Sequence, residues 1–146
     1  MKPPRPIKGS LEGSAYNREP GDEGFTCTQA NAFVQTFTEA TGQVSQLGRV
    51  SASLIHCGIA FDQAAGVITV EGQATFEAAN GDNISGPFSG TVTLGETVVG
   101  ALDMTVDGGT GRFDDASGKV DIGVVVGGET PSGVGVEMSL TGNVSY

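Results

Sequence analysis

A chain of 146 residues fits one domain with one core, and 24 glycines, no tryptophan and recurrent Thr, Ser and Val favour short strands and tight turns over helices. Seven Lys+Arg against 17 Asp+Glu leave a net charge of −10, which excludes a nucleic-acid partner, since that affinity comes mainly from basic groups on phosphate. No run of 18 apolar residues is present, so no membrane span is expected.

Met1–Lys8 holds three prolines and no apolar stretch, so it does not read as a secretory signal; it is either a native start or the boundary left by signal removal. Residues 1–5 read as an extended tail on a domain covering 1–146, and Pro6–Tyr16 alternates weakly as a first strand. Asn17–Gly24 is a polar loop rich in turn-forming residues. Phe25–Gly42 is the longest uninterrupted stretch. One face carries Asn31, Phe33, Gln35, Phe37 and Glu39, the other Ala30, Ala32, Val34, Thr36 and Ala40. A face mixing aromatics with polar groups suits a ligand cavity, or else an outer face covered by another subunit or by the preceding loop.

Gly48–Phe61 follows, with Leu54 and His56 on one side and Cys57 on the other. Asp62–Gly66 turns the chain into Val67–Ala79, where Ile68, Val70, Gly72, Ala74, Phe76 and Ala78 alternate with polar residues. Asn80-Gly81 is a hairpin signal, and Asn83–Thr93 presents Ile84, Gly86, Phe88, Gly90 and Val92 inward. After Leu94-Gly95, Glu96–Asp107 presents Val98, Gly100, Leu102, Met104 and Val106.

Gly108–Gly118 reads as a backbone corner, with one helical turn expected over Asp114–Ser117 and Arg112 held by carboxylates or backbone carbonyls. A phosphate loop would need a following helix of several turns. Ca²⁺ would need a D-x-D-x-D-G run that Asp107, Asp114 and Asp115 do not make. Val120–Val126, the Gly127–Gly133 turn and Val134–Tyr146, with Met138 inward, complete eight strands. Sequential strands of this number remove their edges best by closing into an antiparallel up-and-down β-barrel, a two-sheet sandwich being the alternative. Small inward residues such as Gly72 and Gly90 fit a coiled sheet.

Cys27 and Cys57 stand 30 residues apart without a CxxC pair or His cluster, so no metal site is read there. They fit a single disulfide, with two buried free thiols as the alternative. His56 is the only histidine, and its neighbour Cys57 points to the opposite face, which argues against a Cys-His or Ser-His-Asp arrangement.

Gln46-Leu47-Gly48-Arg49, His56-Cys57, Glu77-Ala78-Ala79-Asn80-Gly81-Asp82 and Gly109-Thr110-Gly111-Arg112-Phe113 together resemble a group of small, Gly/Thr-rich bacterial proteins, often exported and mostly of unknown function. The resemblance runs from about Phe25 to Tyr146. It implies that the two cysteines pair, that the protein is secreted or extracytoplasmic rather than cytoplasmic, and that the fold is an allene oxide cyclase-like, calycin-type barrel. Allene oxide cyclases and bacterial spirotetronate-forming cyclases share that shape and fold an apolar substrate inside it. None of their functional residues matches a position here.

The expected site is therefore the barrel interior, lined by Phe33, Phe37, Leu54, Phe76, Phe88 and Met138, with Asn31, Gln35, Glu39 and His56 as polar groups. Its first-ranked use is binding a small apolar molecule without a cofactor. The second is a cofactor-free isomerase or cyclase, with Glu39 as acid or base because an apolar cavity would raise a carboxylate's pKa, and His56 as alternate base. The third is an exported structural protein with a filled core. A homo-oligomer is compatible with each.

Overall fold

A computed structural model describes residues 3–19, 26, 27, 31–130 and 133–146. Most of the Asn17–Gly24 loop, the Phe25 start of the expected second strand, Ala30 and part of the Gly127–Gly133 turn lie outside the described residues. The elements are β1 Arg5–Arg18, β2 Val34–Val44, β3 Gly48–Asp62, β4 Val67–Ala78, β5 Asn83–Thr93, β6 Val98–Val106, the two-residue β7 Gly108–Gly109, a 3-10 turn Gly111–Phe113, β8 Ser117–Thr130 and β9 Gly133–Ser145.

Every long strand pairs antiparallel with the next, and β1 closes on β9 with Leu11 opposite Met138, giving an eight-stranded up-and-down barrel. β7 only extends the edge of β5, Gly109 opposite Ile84. The strands follow from a period of two that places apolar side chains on one face, and closure satisfies every edge. From β4 onward the inward sets are those expected; Phe76, Ile84, Phe88, Met104, Ile122, Met138 and Leu140 all belong to the core.

β8 runs longer than expected. Its pairing with β9 continues to Thr130 opposite Gly133, with an irregularity between Val126 and Glu129.

One end of the barrel is plugged by the Gly108–Gly118 corner. The helical turn expected at Asp114–Ser117 lies earlier, because the amides of Phe113, Asp114 and Ala116 donate to the carbonyls of Thr110, Gly111 and Phe113, a 3-10 pattern. Gly111, at φ +59°, passes so close to the Asp82 carboxylate that a side chain there would collide with it. The turn drives Phe113 into the barrel, where it is 0% exposed and meets Tyr146 edge-on at 4.7 Å. Arg112 lies over the Phe113 ring and donates from Nη2 to the Gln46 carbonyl at 3.2 Å, so a carbonyl on the β2–β3 turn holds it.

Candidate functional site

At the opposite end the interior is unfilled. A cavity of about 320 Å³ is lined by Ala15, Val34, Leu54, Ile68, Val70, Val92, Leu102, Val124, Val136 and Met138, with Asn17, Thr36, Thr38 and His56 as its polar side chains. It lies where β1, β3, β5 and β8 end and β2, β4, β6 and β9 begin. Large residues fill the plugged end, while valines and Gly100 line this one, which leaves the void.

Its most distinctive group is His56. In the pairing register Thr36, His56, Gly72 and Phe88 form one row across β2, β3, β4 and β5. Gly72 contributes no side chain, and a Cβ there would collide with the Ile55 carbonyl. Over this gap His56 and Phe88 meet edge-on at 6.1 Å between centroids. Nδ1 of His56 is enclosed without a hydrogen-bond partner. Burial lowers its pKa from 6.5 to about 4, because the imidazolium would lose its hydration.

This shift has a sign that can be measured. Between pH 6.5 and about 4 the unfolded chain takes up a proton that the folded chain refuses. The His56 contribution to stability is therefore complete above pH 6.5 and is lost as pH falls toward 4. We expect a loss of about 3 kcal/mol over that window. Urea unfolding at a series of pH values, compared with His56→Leu, checks it: this part of the slope should vanish in the variant. Identical slopes in both proteins would contradict the assignment.

The register corrects the second strand. Thr36 stands opposite His56 and Thr38 opposite Leu54, so Val34, Thr36, Thr38 and Ala40 face inward. The stripe Asn31, Phe33, Gln35, Phe37 and Glu39, expected inside, does not line the cavity. Gln35 is 0% exposed, yet on the outer face: Thr26 folds back over it, donating from its amide to Oε1 at 2.6 Å and accepting from Nε2 at 2.7 Å. Phe37 stacks on Tyr16 at 5.2 Å, with Arg18 over both rings. Glu39 is exposed beside Ser53, in an open groove shared with Glu12 and Glu77, which removes the apolar surroundings its acid–base role requires.

Asn31 and Phe33 precede β2. Asn31 donates from Nδ2 to the Ile59 carbonyl at 2.6 Å. Phe33, 40% exposed, lies against the position a Cβ of Gly58 would take. Among the expected site residues the structure brings Leu54, His56 and Met138 to the cavity wall, with Phe88 against His56 and Phe76 in the packed core. Thr36 and Thr38 were missed. Their place in the wall depended on the facing of β2.

Cys27 and Cys57 form a disulfide, Cα–Cα 5.9 Å, on the outside of β3, where Thr26 and Cys27 cover Gln35. Beside it runs a groove of about 600 Å³, lined among others by Ile55, Glu71, Gln73, Pro87 and Asp103. It is wider than the interior cavity but shallow and open to water, so it would bury much less of a ligand. Among the described residues no three His, Cys, Asp or Glu side chains are grouped to hold a metal ion, and no helix is long and apolar enough to cross a membrane.

No family model matches the chain, and no curated protein matches it in sequence. Among solved structures it is similar to the pterocarpan synthase dirigent protein GePTS1, with a TM-score of 0.53 and 15% identity over 100% of this chain and 93% of that one. At that identity the likeness concerns the fold.

Proposed function

We propose that this protein is a binding barrel that holds a small apolar molecule in the 320 Å³ cavity. The observation that supports this reading is an apolar void, open at one end, in a barrel whose other end is closely packed; a purely structural protein gains nothing from leaving it empty. The dirigent protein that shares the fold is named as a synthase, and an isomerase or cyclase reading draws on His56, the one titratable side chain in the wall among the described residues. With its pKa near 4 that imidazole is neutral and weakly basic at pH 7, so binding ranks above catalysis. The disulfide fits work in an oxidising compartment, outside the cytoplasm.

Gly100 supplies the test. It lines the cavity, and a Cβ there meets only ordinary contacts, Val124 Cβ at 3.4 Å and Val92 Cγ2 at 3.7 Å. Gly100→Leu should fill the void and weaken binding of a neutral naphthalene fluorophore by about tenfold or more at unchanged melting temperature. Equal affinity in both proteins would place binding elsewhere, and no binding by the wild type would leave the structural reading.

A further inference from the structure

We infer that the cavity selects an uncharged apolar molecule bearing a hydroxyl, seated against the His56 imidazole; this rests on the reading that the cavity binds a ligand at all. The first ground is what the wall lacks. Among the described residues its lining contains no Lys, Arg, Asp or Glu, and of its polar groups the Thr36 hydroxyl is already engaged, donating to Asn17 Oδ1 at 2.7 Å. A carboxylate or an ammonium group entering this space would leave water without a counter-charge, which costs several kcal/mol. At the open end the described strand ends and turns carry Arg18 against Glu19, Asp62 and Glu96, and the chain carries −10, so the field there disfavours an anion.

The second ground is what the wall leaves unsatisfied. A neutral imidazole offers one N–H and one lone pair; Nδ1 of His56 is enclosed and out of a ligand's reach, whereas Nε2 is not enclosed and has no hydrogen-bond partner among the described residues, so it is the nitrogen a molecule in the cavity can meet. The interior positions beside it, Thr36 on β2 and Gly72 on β4, do not titrate, nor does Phe88. An unpaired polar group in an apolar wall is a standing penalty that a ligand can relieve. A hydroxyl does so for either tautomer, because it both donates and accepts, whereas a carbonyl serves only the N–H. Burial keeps the ring neutral at pH 7, so it provides no cation to recruit a carboxylate.

Size bounds the ligand as well. At the packing density of protein interiors, 320 Å³ suits a molecule of about 10–15 non-hydrogen atoms.

The test compares naphthalene, 2-naphthol and 2-naphthoate at pH 7.5 by fluorescence titration, and follows the imidazole ¹⁵N resonances, which need no assignment because the chain has 1 histidine. 2-Naphthol should bind about five- to tenfold tighter than naphthalene. It should exceed 2-naphthoate by about a hundredfold or more. It should also shift the ring nitrogens, whereas naphthalene should not. In His56→Leu the naphthol advantage over naphthalene should disappear; if that variant does not fold, the wild-type titration and its nitrogen shifts decide alone. Naphthoate binding as tightly as naphthol, or naphthol no better than naphthalene with unmoved nitrogens, overturns the inference and leaves the binding reading intact. Failure of all three probes to bind overturns both.

Discussion

Phe113→Ala should lower the unfolding free energy by about 3–5 kcal/mol, the largest effect expected of any single substitution considered. The ring is 0% exposed, packs edge-on against Tyr146 at 4.7 Å and carries Arg112 on its surface. Its removal leaves a void in the plug, and the surroundings cannot collapse into it: the 3-10 turn is fixed by its own amide bonds, and Thr110 is tied to Asn83 in both directions, its amide donating at 2.9 Å and its Oγ1 accepting at 3.1 Å. The cavity lies at the other end of the barrel, so affinity for a neutral probe should hold wherever the variant remains folded. Urea denaturation and a parallel probe titration measure both quantities. A loss below about 1 kcal/mol would show that the plug contributes little packing, and a large loss of affinity would show that the two ends are coupled.

Cys27→Ser combined with Cys57→Ser should cost about 3.5 kcal/mol. The bond closes a sequence separation of 30, and its chief effect is to restrict the unfolded chain. A second, local effect adds to it: Thr26 and Cys27 cover Gln35, whose amide is fully buried and depends on Thr26 for both of its hydrogen bonds. Without the tether this cover can open and water reaches the amide. The barrel should persist, because β2 and β3 pair from Val34 opposite Gly58 to Val44 opposite Gly48 beneath the bond. The expected result is a lower urea midpoint with an unchanged far-UV spectrum and faster amide exchange at Thr26. A midpoint equal to that of the parent, or loss of the sheet spectrum, would contradict this account.

Alternation made most of the barrel legible. In β4, for example, Ile68, Val70, Ala74, Phe76 and Ala78 are spaced so that only one face can be buried, and a slip by one residue would expose them all. The same rule misled at β2. Its inward side chains are small, Thr36, Thr38 and Ala40, while Phe37 and Gln35 lie outward, so the more conspicuous face looked like the interior. What inverted it is non-local: Tyr16 stacks on Phe37, and Thr26, more than a strand's turn away in the chain, covers Gln35. The corner was partly legible. Its glycines marked a break in the strands, but the direction in which Phe113 points depends on Tyr146, just past β9, and on the Gln46 carbonyl of the β2–β3 turn, which holds the neighbouring Arg112.

The sequence by itself determined the strand number and the inward face from β4 to β9, because those depend on a period of two and on turns encoded by adjacent residues such as Asn80-Gly81, and it favoured up-and-down closure over a sandwich, which the pairing of β1 with β9 then decided. Only the tertiary structure decided which end is plugged, where the void lies and which polar group faces it. Those outcomes depend on volume summed around a closed row: Gly72 opposite both His56 and Phe88, and Phe113 against Tyr146. No single strand carries that sum, so the cavity and its lone imidazole emerge only when all eight strands close together.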